Sequence, residues 1–175
     1  MVTLTVSGTP GSGKSTVAQL LKQKLKIRYI NTGMIFRDLA KKHKMSLKEF
    51  GKHCEENPDV DKELDKKQLE ILQKGDIILE GRLAGWIAYK NNIKATKIMI
   101  NADLKTRANR IVKRENGDIQ KRKQEIIKRE KSEELRYKKY YDINLKDESI
   151  YDLVIDSSDK KPEEITNIII KKINK

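Results

Sequence analysis

Runs of β-branched and aliphatic residues alternate along this chain with stretches in which apolar side chains return every three or four positions. The runs read as short strands buried on both faces, and the stretches as helices that turn one side to a core. Residues 2–7 (VTLTVS) predict the first strand. A helix over 13–25 follows, with Val17, Leu20, Leu21 and Leu25 at helical spacing. Residues 28–31 predict a second strand. The pattern of 33–74 is helical throughout, with a Ser46/Glu49 capping box and an Asn57-Pro58 helix start inside it. Gly75 ends that stretch. The runs IILE (77–80), TKIMI (96–100) and YDLVI (151–155) supply strands three to five. Two charged helices, 104–115 and 119–140, are parted by Asn116-Gly117. A last helix starts at Pro162 and is apolar at Ile165, Ile168, Ile169 and Ile173.

Strands alternating with helices predict an α/β, three-layer fold: a five-stranded parallel sheet flanked by helices. At 175 residues the chain suits one domain with a proper core. Segments 1–32, 75–114 and 141–175 would form that core. The helical insertions 33–74 and 115–140 would stand at the carboxyl edge of the sheet, where such folds bind ligands.

Charge sharpens this picture. Charged residues make up 37% of the chain, and the net charge of +13 calls for a polyanion or a crowd of phosphates. Lysine is scattered over the whole length, the pattern of a solvated skin. Arginine is not: six of nine lie between Arg107 and Arg136, and the planar guanidinium fork suits phosphate oxygens. Cys54 is the only cysteine, so an internal disulfide and a cysteine-based zinc cluster are excluded and a reduced, cytoplasmic compartment is expected. No apolar run reaches the roughly 20 residues that span a bilayer. His43 and His53 flank Cys54 too loosely to make a metal site.

The chemistry is concentrated after the first strand. Gly8-Thr9-Pro10-Gly11-Ser12-Gly13-Lys14-Ser15 matches the phosphate-binding loop G-x-x-x-x-G-K-[ST], and it leaves a strand and enters a helix as that motif requires. The glycines let backbone N–H groups converge on phosphate oxygens at a helix N-terminus. Lys14 would reach the β- and γ-phosphates of ATP, Ser15 would ligate Mg²⁺, and Thr16 would lie beside the α-phosphate. The expected architecture is therefore the P-loop NTPase fold. The GTPase signatures N-K-x-D and D-x-x-G are absent.

The segment Asn31-Thr32-Gly33-Met34-Ile35-Phe36-Arg37 resembles the monophosphate-binding stretch of adenylate kinases, which implies acceptor-binding roles for Thr32 and Arg37. By the same resemblance, in Glu80-Gly81-Arg82, Arg82 binds the acceptor phosphate and Glu80 helps hold Mg²⁺. Arg107, Arg110 and Arg114 share one helix face, beside Leu104, Ala108, Ile111 and Val112, which would pack on the sheet. Arg110 and Arg114 resemble the adenylate-kinase pair that meets donor adenine and phosphate. Arg122, Arg129 and Arg136 recur every seven residues, about 10.5 Å apart along one side of a helix. Arg129 and Arg136 are read as lid residues that neutralise transition-state charge.

Over its whole length the chain resembles the archaeal-type cytidylate kinases, through GTPGSGKST, NTGMIFR, ILEGRLAGW, REKSEELRY and IYDLVIDSS in that order. The resemblance implies transfer of a phosphoryl group from ATP to CMP or dCMP with Mg²⁺, and it places residues 157–160 near the donor adenine. It departs from the bacterial enzymes, which resemble D-G-R-D where Glu80-Gly81-Arg82-Leu83 stands. Two other readings compete: an adenylate kinase, and a basic nucleic-acid-binding ATPase. Against the second, aromatics are only 5% of the chain, too few for stacking platforms. A monomer with no nucleic-acid or membrane partner is expected. Asp61 and Asp65, with Gln68 on the same segment, are the candidates for contact with the acceptor base.

Overall fold

The computed structural model describes residues 2–46, 49–50, 53–54 and 57–174. Five strands form one parallel sheet: β1 (Thr3–Gly8), β2 (Arg28–Asn31), β3 (Ile77–Glu80), β4 (Thr96–Asn101) and β5 (Leu153–Asp156), in the order β2-β3-β1-β4-β5. Each strand matches its expected position to within two residues. Register sets the site. Val6 and Asn31 both lie opposite Glu80, and Gly8 lies opposite Ile100, so β1, β2 and β3 deliver their last residues to one edge.

Helices among the described residues are α1 (Lys14–Leu25), α2 (Thr32–Lys42), α3 (Pro58–Gln73), α4 (Ala84–Lys90), α5 (Leu104–Glu115), α6 (Ile119–Tyr141) and α7 (Pro162–Ile173). One face of the sheet packs Leu4, Val6, Ile98 and Ile100 against Val17 and Leu21 of α1 and Ile165 and Ile169 of α7. The other face packs Leu79 and Met99 against Ile35 and Leu39 of α2 and Trp86 of α4. This is the three-layer arrangement expected of strands that are apolar on both sides.

The structure adds three details. The stretch 33–74 is not one helix: α2 stops at Lys42, Lys44 turns with φ +55°, and the Ser46/Glu49 capping box forms reciprocally at 2.8 and 3.3 Å. α4 was not expected, being only seven residues long with Gly85 inside it and no side-chain cap. The apolar face of α5 does not pack on the sheet. Ala108 and Ile111 instead join Ile126 of α6 in a small cluster of their own, because α5 and α6 fold back on each other at Asn116-Gly117, both with positive φ.

Candidate active site

The phosphate loop runs from the end of β1 into α1. Gly11 and Gly13 hold φ of +80° and +86°, a region that favours glycine, and a Cβ at Gly11 would stand 2.9 Å from the Arg107 carbonyl oxygen. The loop is thus threaded tightly under α5. Gly8, Thr9 and Pro10 lead into the turn, where the Ser12 N–H donates to the Thr9 carbonyl. Behind the turn lies a cavity of about 310 Å³, walled by loop residues 11–16 and by Arg110, Arg114, Ser157 and Lys160. Arg110 is committed to the loop: its guanidinium donates to Ser12 O at 3.1 Å and to Ser157 O at 2.6 Å. Arg114 pairs with Glu115 at the exposed rim.

Lys14 and Ser15, the first residues of α1, face Glu80 at the end of β3. Ser15 Oγ donates to Glu80 Oε1 at 2.7 Å, and Lys14 Nζ stands 3.9 Å from the same oxygen. Burial pushes the Lys14 ammonium below its usual pKa range, an effect Glu80 opposes. Tyr29 holds the other carboxylate oxygen: its hydroxyl donates to Glu80 Oε2 at 2.5 Å and accepts from Asn31 Nδ2 at 3.1 Å. Burial first, and the bond to Glu80 second, raise the phenol's pKa, so it stays a donor. Asn31 meanwhile caps α2 through Met34 N at 2.9 Å. A buried carboxylate beside a serine hydroxyl at the foot of a phosphate loop is a hard-oxygen donor set, and it fits Mg²⁺.

A second cavity, of about 360 Å³, opens between α2, α3, the end of β3 and α6. Thr32 and Gly33 at the N-terminus of α2, Arg37 one turn later, Arg82 after β3, and Arg129 and Arg136 of α6 all line it. Close packing positions the first of these, since a Cβ on Gly81 would lie 2.3 Å from Thr32 Cγ2. Arg82 joins three elements: Nη1 donates to Gly8 O at 3.0 Å, and Nε to Glu133 of α6 at 2.6 Å. Arg129 meets the same Glu133 at 2.9 Å, and Arg136 lies over the Tyr137 ring at 5.1 Å. Arg37 has no hydrogen-bond or ion-pair partner among the described residues. The opposite wall carries Asp65 and Gln68 of α3. The side chain of Asp61 lies outside the described residues.

Two arginines of the cluster serve the scaffold. Arg107 is buried, donating to Pro10 O at 3.3 Å and to Glu130 of α6 at 2.7 Å, so it ties the phosphate loop to the lid helix. The shared face expected for Arg107, Arg110 and Arg114 therefore divides into three environments. Arg122 bonds Asn116 O and Glu125 at the turn between α5 and α6 and does not line either cavity. Sequence reasoning missed Glu133 and Tyr29. Glu133 carried only the signal of an Arg129/Glu133 pair at i,i+4, which on so charged a helix reads as a solvated pair. Nothing in the sequence marked Tyr29. Among the described residues no group of histidine, cysteine or carboxylate side chains forms a further metal site, and no helix is long and apolar enough to cross a membrane.

The model of the cytidylate kinase-like family matches residues 3–159. A cytidylate kinase of Methanocaldococcus jannaschii is 44% identical over 95% of this chain and 94% of its own length. One from Pyrococcus horikoshii is 37% identical, covering 95% of this chain and 85% of the relative. Among solved structures, an uncharacterized protein from Eubacterium ventriosum aligns over 99% of both chains with a TM-score of 0.75 at 20% identity. Shikimate kinase from Aquifex aeolicus aligns over 99% of this chain and 96% of its own, with a TM-score of 0.61 at 16% identity. At such identities the two structures speak for the fold alone. The sequence relatives and the family model go further: this chain belongs to the cytidylate kinase-like family.

Proposed function

We propose that the protein transfers the γ-phosphoryl group of ATP to CMP or dCMP, giving ADP and the cytidine diphosphate. The observation that carries this reading is Arg82, which donates to the first carbonyl of the phosphate loop and at the same time lines the second cavity. A donor phosphate on the loop and an acceptor phosphate beside Arg82 would meet over Lys14 and Glu80.

Each residue has a task in that reading. Backbone N–H groups of Gly11 and of residues 13–16 cradle the ATP phosphates, and Lys14 follows the γ-phosphoryl group as its charge redistributes. Arg110, Arg114 and residues 157–160 border the adenine end. Thr32 and Gly33 offer a helix N-terminus to the acceptor phosphate, with Arg37 and Arg82 as its cationic walls. Arg129 and Arg136 bring further positive charge from the lid, where it acts on the transition state. A phosphate monoester with a second pKa near 6 is largely dianionic at neutral pH, so its oxygen attacks without a general base. Ser15 and Glu80 would hold Mg²⁺. When bound, that ion neutralises charge on the β- and γ-phosphate oxygens. The chain is read as one folding unit with an acceptor-binding part at 33–74 and a lid at 115–140, and as a monomer.

A coupled assay with ATP and CMP, dCMP, UMP, AMP or GMP tests this directly. CMP and dCMP should be used well, UMP poorly and AMP least. A higher kcat/KM for AMP would make the protein an adenylate kinase. ATP hydrolysis stimulated by RNA or DNA, with no monophosphate consumed, would support the nucleic-acid-binding ATPase.

A further inference from the structure

Gln68 of α3 carries into the acceptor cavity a buried acceptor atom with no hydrogen bond among the described residues. The residue is only 2% exposed, and the atom is Oε1. A buried carbonyl oxygen left alone costs the desolvation of a hydrogen-bonding group, and at the wall of a cavity a bound ligand can supply the missing donor. Gln68 lines the same cavity as Thr32, Arg37 and Arg82. Its other amide atom is spoken for: Nε2 donates to Asp65 Oδ1 at 3.1 Å, one helical turn earlier on α3.

That bond fixes which way round the amide sits. A carboxylate only accepts, so the amide nitrogen must be the atom facing Asp65, and the oxygen must face away from it. Reversing the amide would bring two acceptors together. Gln68 therefore presents a fixed pattern to the cavity: Oε1 as acceptor, with the second hydrogen of Nε2 as donor beside it.

We infer that Gln68, held in this orientation by Asp65, reads the acceptor base and selects cytosine over uracil. The inference rests on the reading of this cavity as the monophosphate site. Cytosine carries a 4-amino donor next to a ring-nitrogen acceptor, the complement of the fixed amide. Uracil carries a carbonyl oxygen next to a ring N–H, the reverse order, and could match only a reversed amide, which Asp65 forbids. Adenine shares the amine-and-acceptor edge, so the amide separates the two pyrimidines and leaves rejection of purines to the cavity walls. Gln68 would touch the substrate; Asp65 is a positioning residue.

Steady-state kinetics with CMP and UMP, on the intact chain and two variants, test the inference. The intact protein should prefer CMP, and it should use the monophosphate of 2-pyrimidinone, which is cytosine without its amine, at least about ten-fold less well than CMP. Asp65→Asn frees the amide to turn, so the CMP:UMP ratio of kcat/KM should shrink about ten-fold, mainly because UMP improves, while KM for ATP stays put. Gln68→Met keeps the volume and removes the pattern, so the ratio should shrink through loss of CMP. A damaged fold would lower both substrates together and leave the ratio alone.

The inference is overturned if a folded variant keeps the ratio within about two-fold of the parent. It is equally overturned, whatever the variants do, if the intact protein uses the 2-pyrimidinone nucleotide as well as CMP. An intact protein that phosphorylates CMP while failing those two tests keeps the kinase reading and loses the base-reading one. An intact protein that phosphorylates no monophosphate loses both.

Discussion

The two cavities are built in opposite ways. The donor side is built around one contiguous stretch: residues 8–16 close on themselves, two glycines with positive φ set the curl, and Arg110, Arg114, Ser157 and Lys160 complete the wall. The acceptor side is made by side chains from α2, α3, the end of β3 and α6, which meet only because the sheet and the lid bring them together. Its connections are ion pairs and single hydrogen bonds, such as Arg82 to Glu133 and Gln68 to Asp65. A site of backbone groups binds what all its users share, the phosphates of ATP. A site of side chains can change its ligand one residue at a time.

The comparison breaks most sharply at Lys14. Replacing it with alanine should lower kcat by about a thousand-fold, because charge stabilisation in a desolvated site is lost at the moment of transfer. The melting temperature should move by no more than about 2 °C, since removing an ammonium that burial already disfavours opens no apolar cavity. Near-normal turnover by a folded Lys14→Ala protein would remove the donor side from the chemistry.

A smaller effect is expected on the acceptor side. Glu133 is buried and holds both Arg82 and Arg129, so it occupies the counter-charge position that an incoming phosphate would take. Glu133→Gln should lower KM for CMP about three- to ten-fold, because phosphate no longer displaces a carboxylate. The unliganded protein should lose about 2 kcal/mol or more of stability, since arginines facing the cavity lose their partner. Melting curves with and without CMP check both halves. A raised KM with unchanged stability would mean that Glu133 contacts the substrate side directly.

The smallest effect sharpens the donor side as scaffold. Asp103 caps α5 through Thr106 N at 2.8 Å, and its own N–H donates to Ser158 Oγ, next to Ser157 of the donor cavity. Hydrogen bonds from the Thr106 hydroxyl and backbone hold its carboxyl down at about 2, below the ordinary 3.8. A carboxyl depressed in this way stabilises the fold above its unfolded value and stops doing so as pH falls through its folded value. Asp103→Asn should therefore melt lower than the parent near neutral pH, and the gap should close between about pH 4 and pH 2. Equal melting at neutral pH would show that the cap's charge contributes nothing.

The same contrast explains what could be read from sequence. The phosphate loop, the five strands and Pro162 as a helix start are local patterns, and each stands where the pattern put it. Thr32, Arg37 and Arg82 were also legible through their resemblance to an acceptor-binding stretch, and Arg129 and Arg136 through their seven-residue spacing on a charged helix; all five line one cavity. What holds them was not. Arg82 and Glu133 are 51 positions apart, as are Tyr29 and Glu80, and no periodicity links residues across such a distance. Arg107 looked like its neighbours Arg110 and Arg114. Only the tight passage of Gly11 beneath it shows why it turns inward to Pro10 and Glu130. The α5 face was assigned to the wrong partner because amphipathicity reports that a helix is covered, not by what.

Glu133 also bears on how the protein handles ions. With a net charge of +13, association with a nucleotide would ordinarily release bound anions from the surface and weaken steeply as salt rises. In the acceptor cavity the proposed exchange would be internal: Arg82 and Arg129, both held by Glu133, would trade a tethered carboxylate for a phosphate, and no ion need leave for the bulk. The lysine-rich skin would set the protein's general attraction for anions, while on the proposed reading the cavity would be buffered against ionic strength by a counter-ion that the chain carries with it.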